Sequence, residues 1–259
     1  YYVGREIEPD SPMAALPLHG PNVWPDERLV PGFRAACEDY YAALLRLAAR
    51  LLPAVAEAAG VQDPDAFVAA VFGEHGGGGQ EEGQAPAVPW SSGPMAFLRL
   101  LQYQPVPSDV GKGWLGCGAH SDWGMLTFLA TDGSPGLQVQ RRRQQAGGQS
   151  STIYWQDVPP RPGAFVINVG DMLERWTGGR MRSTVHRVVI DSSTNGGGRQ
   201  SIAFFLDPSF SALIKGPAGG DAYPPTRAGA FLLARYRVTH AGWSDGACAE
   251  HTPGAHVGV

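Results

Sequence analysis

Residues 118–128, GAHSDWGMLTF, place a histidine and a carboxylate two positions apart, just ahead of an apolar run. In a β-strand, side chains two residues apart point to the same face of the sheet. We therefore predict that His120 and Asp122 lie on one strand and hold a single object between them. The pair carries little weight alone, because most His-x-Asp sequences are surface or hydrogen-bonded pairs.

Strand-like runs surround this stretch. Each is rich in β-branched, aromatic or leucine residues and is bounded by Gly, Pro or Asp: MAFLRLLQY, GMLTFLATD, GLQVQ, STIYWQDV, AFVINVG, STVHRVVI and RQSIAFFLDP. Short strands separated by turn residues are typical of a sandwich or barrel. RRRQQAGGQSS separates two of the runs and predicts a hairpin tip, so we interpret Arg141–Arg143 as a solvated loop rather than a basic contact patch.

Helical patterns flank the strands. Apolar residues at positions 33, 37, 41, 44, 48, 51 and 55 form one stripe of a helix, which Pro53 is expected to kink or split. Asp63 and Pro64 predict the N-cap and first residue of a second, short helix. Residues 73–94 are glycine-rich and predict a mobile surface loop, and AGAFLLARYRVTH predicts a helical C-terminal tail.

Composition narrows the class of protein. The 259 residues carry a net charge of −4, which disfavours a general nucleic-acid or anionic-membrane binder, and no apolar run has transmembrane length. The three cysteines form neither a disulfide framework nor a zinc pattern, so we expect a reducing compartment, the cytoplasm. The chain begins at Tyr1 rather than Met, which indicates a fragment, and a targeting segment upstream would not be visible.

A second histidine in a strand pattern is the natural third partner. His186 follows Asp122 by 64 residues, and of the seven histidines only His120 and His186 lie in clear strand runs. Two imidazoles and one carboxylate on one face of an octahedral ion leave three positions open, as in non-haem Fe(II) oxygenases.

An arginine and a serine follow on the next strand run. Arg199 and Ser201 are two residues apart and are predicted to face the same way. Arginine offers a two-pronged donor for a carboxylate, and serine adds a hydroxyl donor. From spacing alone, a surface charge at a strand end is an equally good interpretation of Arg199.

Taken together, these motifs resemble a known family. The His-x-Asp pair, the distant His and the Arg-x-Ser pair, with PGAFVINVGDMLERWTGGRMRSTVHRV and RQSIAFFLDP, resemble the 2-oxoglutarate- and Fe(II)-dependent oxygenases of the isopenicillin N synthase-like group. The resemblance covers most of the chain and is strongest over Met95–Pro208. It implies a mainly β fold with flanking helices and a double-stranded β-helix (jelly-roll) core. We expect one domain over 1–259, with a helical and irregular part (1–94), the jelly-roll core (95–211) and a helical tail (212–259).

The resemblance also implies a site. Fe(II) would be held by His120, Asp122 and His186, and 2-oxoglutarate would chelate the iron and meet Arg199 and Ser201 with its far carboxylate. Tyr103 matches the family's strand tyrosine and is a second candidate for 2-oxoglutarate, with a buried core tyrosine as the alternative. O2 would complete the reaction, which hydroxylates or desaturates a small organic substrate and releases succinate and CO2. Leu101 and Ser121 depart from the plant-type pattern, which often has asparagine and threonine there.

Several residues and functions stay open at this stage. Asp171 and Glu174 are interpreted as helix-start residues rather than catalytic acids, and Cys117 is not expected to be a ligand. Asn168, Trp123 and Phe205 suit either the site or the core.

The alternative functions are a 2-oxoglutarate-independent oxidase of the isopenicillin N synthase type and an inactive jelly-roll binding module. Nucleic-acid demethylation would need a basic groove. We expect a monomer that acts on a small molecule, without membrane or nucleic-acid partners.

Overall fold

The computed structural model describes residues 1–72, 93–144, 151–191, 198–216 and 223–240. The strands and α-helices in these ranges are, in chain order, β1 (Tyr2–Gly4), α1 (Phe33–Ala58), α2 (Pro64–Phe72), β2 (Met95–Tyr103), β3 (Cys117–His120), β4 (Leu126–Thr131), β5 (Leu137–Gln144), β6 (Ser151–Asp157), β7 (Val166–Val169), α3 (Asp171–Trp176), β8 (His186–Val188), β9 (Arg199–Asp207), β10 (Leu213–Ile214), β11 (Thr226–Arg227) and α4 (Ala228–Thr239).

Two antiparallel sheets form the centre of the fold. The larger has the strand order β1-β2-β9-β4-β7 and the smaller the order β3-β8-β5-β6. Between β2 and β9 the chain passes repeatedly from one sheet to the other, and only β5 and β6 are consecutive strands of the same sheet. This alternation is the winding of a double-stranded β-helix, so the predicted fold class is confirmed.

Helix α1 covers the outer face of the larger sheet. Its buried residues include Tyr41, Leu44 and Ala48 of the predicted stripe, and they pack in one core cluster with Leu98 and Phe204 of the sheet. Tyr41 also donates a hydrogen bond to the backbone carbonyl of Ala96 in β2, at 3.1 Å. The sheet is therefore covered on one face and left open on the other for a site.

Pro53 does not split α1, so that part of the prediction is wrong. The helix is continuous from Phe33 to Ala58, with Pro53 exposed inside it. Leu52 and Ala56, on either side of the proline, are both 0% exposed. Burial of both residues in the core cluster offsets the backbone hydrogen bond that proline cannot make.

The flanking elements match the predictions in part. Asp63 caps α2 by accepting a hydrogen bond from the Ala66 amide at 2.9 Å, and the tail contains α4. Strand β1 and the β10–β11 pair were not predicted, because strands of three and two residues are too short to show a period. The predicted surface loop and hairpin tip fall largely on 73–92 and 145–150, outside the described residues. Arg141–Arg143 are exposed, but they lie in β5 and pair with β6, so their interpretation as a loop is wrong. No helix in the described ranges is long and apolar enough to cross a membrane.

Alternate residues of β9 separate the core from the site. Phe204 and Leu206 are fully buried on the α1 side. Arg199 and Ser201 are also buried, but they lie on the opposite face, towards the space between the two sheets. The same strand therefore contributes to the core with one face and to the candidate site with the other.

Replacing Leu52 with alanine is expected to lower the free energy of unfolding by about 2–5 kcal/mol, because it opens a cavity under α1. Leu47→Ala is the matched control in the same helix, since Leu47 is 37% exposed, and it should change stability by less than about 0.5 kcal/mol. Urea denaturation measures both. Equal losses for the two variants would show that α1 does not pack on the sheet through Leu52.

Candidate metal centre and anion site

The structure brings the three predicted metal ligands together. His120 is the last residue of β3 and His186 the first of β8, and the two are direct partners across the strand pair. Oδ1 of Asp122 lies 3.8 Å from Nε2 of His120 and 3.7 Å from Nε2 of His186. Within the described part of the chain, these three residues are a group that could hold a metal ion, with ligand atoms within 4.8 Å of one another.

Asp122 is not on the strand, and in that respect the prediction is wrong. β3 ends at His120, and residues 121–124 turn the chain from the smaller sheet towards β4 of the larger one. The carboxylate reaches the histidines from this turn rather than from a strand face. The turn must therefore be held in place by something other than β-ladder hydrogen bonds.

The first turn of α3 supplies that support. The Asp171 amide donates to the Asp122 carbonyl at 2.7 Å, and the Met172 amide donates to the Gly124 carbonyl at 3.0 Å. A Cβ on Gly170 would lie 2.3 Å from the Gly124 carbonyl oxygen, a distance that no side chain tolerates. Amide groups at a helix start have no partner within the helix, so they are free to bind the ligand turn.

Two strands of the larger sheet orient the Asp122 carboxylate. The group is 6% exposed, and its Oδ2 accepts hydrogen bonds from Thr127 Oγ1 at 2.6 Å and from Asn168 Nδ2 at 2.7 Å. Thr127 of β4 and Asn168 of β7 are partners across the sheet. Oδ2 is thus occupied, and Oδ1 is left facing the imidazoles. The sequence alone leaves the role of Asn168 open and does not single out Thr127, because the pairing of β4 with β7 cannot be predicted from one sequence.

Backbone carbonyls set the tautomer of both histidines. Nδ1 of His120 lies 2.8 Å from the Gly118 carbonyl and Nδ1 of His186 lies 3.0 Å from the Thr184 carbonyl, so each Nδ1 carries the donated proton. This arrangement leaves Nε2 of both rings free for a metal ion. The adjacent Cys117 sulfur, opposed by desolvation, raises the pKa of His120 to about 9, so a metal ion bound at Nε2 displaces a proton.

Cys117 itself is not part of the ligand group. Its sulfur lies 3.7 Å from Nδ1 of His120, the nitrogen that faces the Gly118 carbonyl rather than the ligand atoms. This position agrees with the expectation that Cys117 is not a ligand.

Arg199 is a buried cation with free donors. The residue is 1% exposed, and its Nη1 lies 3.3 Å from Ser201 Oγ. Its Nε and Nη2 are buried without a hydrogen-bond partner among the described residues. Burying a charge without a partner is costly, so these donors mark a place for an anion. The surface-charge interpretation of Arg199 is wrong.

Tyr103 completes this end of the site. It pairs with Arg199 across β2 and β9, and the guanidinium lies 5.2 Å from the centre of its ring. Burial raises the pKa of Tyr103, so the phenol keeps its proton and remains a donor. A cavity of about 250 Å³ adjoins Arg199, with Leu129, Thr131 and Val166 among its lining residues.

The two acidic residues of α3 have structural partners. Asp171 forms an ion pair with Arg235 of α4 at 2.8 Å. Glu174 accepts hydrogen bonds from the Tyr223 hydroxyl at 2.8 Å and from the Ser183 amide at 2.7 Å. Both contacts support the structural interpretation of the pair.

Asp207 is a buried acid that the sequence did not single out. It is 3% exposed, and its Oδ1 lies where a Cβ on Gly124 would be, at 1.7 Å. Desolvation, followed by the charge of Asp122, raises the pKa of Asp207 to about 7. The residue thus packs under the ligand turn, and Gly124 is required there because no side chain fits.

Comparison with known proteins gives one consistent result. The profile of the 2OG-Fe(II) oxygenase superfamily matches residues 94–208. The chain is 36% identical to the 2-oxoglutarate-dependent dioxygenase citB of Monascus ruber over 83% of its own length and 58% of that protein. It is 30% identical to azadirone synthase LFS of Melia azedarach, over 91% of this chain and 64% of that protein. The chain thus spans about three fifths of these curated relatives.

Solved structures of similar proteins agree with the sequence matches. A putative 2OG-Fe(II) oxygenase family protein from Caulobacter crescentus superimposes with a TM-score of 0.66 at 30% identity, over 92% of this chain and 68% of that one. A full-length Neurospora crassa protein, solved in complex with alpha-KG (2-oxoglutarate) and thymine, gives a TM-score of 0.67 at 30% identity, over 93% and 64% of the two chains.

Asn168→Ala is expected to weaken binding of Mn(II), a redox-stable probe of the site, by roughly 10–100-fold, because Asp122 loses one of the donors that orient it. Electron paramagnetic resonance of free Mn(II) measures the affinity. Asn22→Ala is the matched control, since the Asn22 side chain donates to the Gly4 carbonyl and to Glu6, away from these residues. Unchanged affinity in Asn168→Ala would mean that this bond does not support the metal centre.

Proposed function

The chain belongs to the 2OG-Fe(II) oxygenase superfamily, and we propose that it hydroxylates or desaturates a small organic substrate, with 2-oxoglutarate as co-substrate and succinate and CO2 as co-products. One observation carries the proposal. Arg199, buried with two unpartnered donor nitrogens, and the group formed by His120, Asp122 and His186 both lie in the double-stranded β-helix.

We propose that His120, Asp122 and His186 hold Fe(II). The donor set fits: two imidazoles with free Nε2 atoms and one carboxylate oxygen leave half of an octahedron open. Fe(II) bound there supplies the O2-activating chemistry of this superfamily. The chain's own contribution is to orient the ligands before metal arrives: Thr127 and Asn168 hold the Asp122 carboxylate, and backbone carbonyls hold the two imidazoles.

We propose that Arg199, Ser201 and Tyr103 bind the far carboxylate of 2-oxoglutarate. Arg199 offers the free nitrogens Nε and Nη2 to one anion, and Ser201 and Tyr103 stand beside it as hydroxyl donors. Burial strengthens these charge-assisted bonds because water does not compete for the donors.

The alternatives receive less support. A 2-oxoglutarate-independent oxidase would not need Arg199, which is 1% exposed and has unpartnered donors. An inactive binding module would not need His120, Asp122 and His186 to bring three ligand atoms together. A nucleic-acid substrate would need a basic groove. Of the basic run, Arg141 is bonded to Gln156 and Arg143 lies over the Tyr154 ring, so both contribute to the β5–β6 pair.

The remaining proposals concern the whole chain. A small-molecule substrate is supported by the Neurospora crassa structure, whose complex contains thymine.

The free thiols of Cys37 and Cys117 support a reducing compartment, the cytoplasm. We also propose a single domain, supported by a core cluster shared by α1, α2, the larger sheet and α4, and a monomeric state, which light scattering would test.

Arg199→Lys is expected to weaken 2-oxoglutarate binding about ten- to a hundred-fold, because lysine keeps the charge but loses the planar two-pronged donor; this corresponds to a charge-assisted bond of roughly 1.5–3 kcal/mol. Ser201→Ala should act in the same direction but less. The measurement is an anaerobic titration of the Fe(II) protein with 2-oxoglutarate, followed by the metal-to-ligand charge-transfer absorption.

The matched control is Arg180→Lys, since Arg180 donates to the carbonyls of Ala59 and Gly60 and is remote from Arg199. It should bind 2-oxoglutarate like the wild type. A wild-type protein without the charge-transfer band would favour the 2-oxoglutarate-independent oxidase, and wild-type affinity in Arg199→Lys would place the anion anchor elsewhere.

A further inference from the structure

A second arginine lies on the site-facing side of β2. Arg99 is half-buried and alternates along the strand with Phe97 and Tyr103 on the same face. It pairs across the sheet with Ala203, two residues from Ser201. Arg99 therefore faces the space that contains the co-substrate anchor, and it lies at the middle of β2, whereas Tyr103 is the last residue of that strand.

The Arg99 guanidinium contacts the ring of Tyr2, which leads to further aromatic rings. It lies 5.3 Å from the centre of the Tyr2 ring, and Tyr2 is 6.0 Å from Phe97. Phe97 in turn stacks on Phe205 at 4.8 Å. Burial, reinforced by the charge of Asp207 and opposed by that of Arg99, raises the pKa of Tyr236 to about 12.

These rings connect Arg99 to the metal ligands. Tyr236 packs edge-on against Trp123, the residue after Asp122, with ring centres 5.3 Å apart. Phe205 is the cross-strand partner of Thr127, which bonds the Asp122 carboxylate. β2 and β4 are separated only by β9, so the two strands are roughly 10 Å apart. This distance suits the length of a small organic molecule.

Arg99 has no anionic partner among the residues that the structure describes. In those ranges its guanidinium forms no hydrogen bond or ion pair, and it lies over the Tyr2 ring. Two exposed arginines, Arg28 and Arg34, are by contrast each paired with a carboxylate. A half-buried guanidinium among aromatic rings can bind a carboxylate through two parallel N–H bonds with little competition from water.

We propose that Arg99 anchors a carboxylate of the primary substrate, which is therefore a small acid with an apolar or aromatic body held by Phe97, Phe205 and Trp123. The proposal rests on the proposed oxygenase function and adds the substrate class. Arg99 is distinct from the co-substrate anchor, because Arg199 already provides the buried donors for 2-oxoglutarate. Arg99 is one guanidinium beside these aromatic residues, and one guanidinium binds one carboxylate.

The test uses three pairs of probes that differ only in charge: phenylacetate, 3-phenylpropionate and 4-phenylbutyrate, each with its primary amide. NMR titration measures their affinities for the protein loaded with Zn(II), a redox-inert substitute for Fe(II), and 2-oxoglutarate. In the wild type, at least one acid should bind about ten-fold or more tightly than its amide. Arg99→Gln should abolish that preference, Arg99→Lys should keep part of it, and Arg50→Gln, at an exposed position of α1, should keep it fully.

Binding of 2-oxoglutarate to each variant separates this proposal from the proposed function. Arg99→Gln should bind 2-oxoglutarate like the wild type. A wild type that binds no 2-oxoglutarate would contradict the oxygenase function, whereas the preference for acids over amides would still report on Arg99. The inference is overturned if no acid binds more tightly than its amide, if Arg99→Gln keeps the preference, or if that variant loses 2-oxoglutarate as well.

Discussion

The two hydrogen bonds that Oδ2 of Asp122 accepts fix the geometry of the candidate site. Thr127 and Asn168 hold that oxygen from neighbouring strands of the larger sheet, while His120 and His186 belong to the smaller one. The candidate metal centre therefore joins the two sheets of the β-helix, and its geometry exists only when both sheets are formed and correctly spaced. Helix α3 also contributes, because its first amides hydrogen-bond to the backbone carbonyls of the turn that carries Asp122.

The faces of the larger sheet explain how stability and function coexist. One face packs on α1 through large apolar side chains such as Phe204, which is fully buried. The other face carries two arginines, Arg199 and Arg99, at different depths and with different surroundings. The deeper one is enclosed with hydroxyl donors, and the shallower one is lined by aromatic rings. This division suits a polar co-substrate at Arg199 and a partly apolar substrate at Arg99.

Much of this arrangement could be predicted from the sequence, because strand alternation and ligand types are local signals. The same-face placement of Arg199 and Ser201 and the helical stripe of α1 follow from periods of two and 3.6 residues. The convergence of His120 and His186 was predicted from their residue types and from family resemblance. The roles of Thr127, Asn168 and Asp207 could not be predicted, because they depend on which strands pair. The continuity of α1 through Pro53 depends on packing that overrides a local preference.

A crystal structure of the protein grown anaerobically with Fe(II) and 2-oxoglutarate tests the central claim most directly. We expect one iron bonded to Nε2 of His120, Nε2 of His186 and Oδ1 of Asp122. The far carboxylate of 2-oxoglutarate should lie on Arg199, and Oδ2 of Asp122 should still accept hydrogen bonds from Thr127 and Asn168. Iron bound elsewhere, or 2-oxoglutarate bound without contact to Arg199, would contradict it.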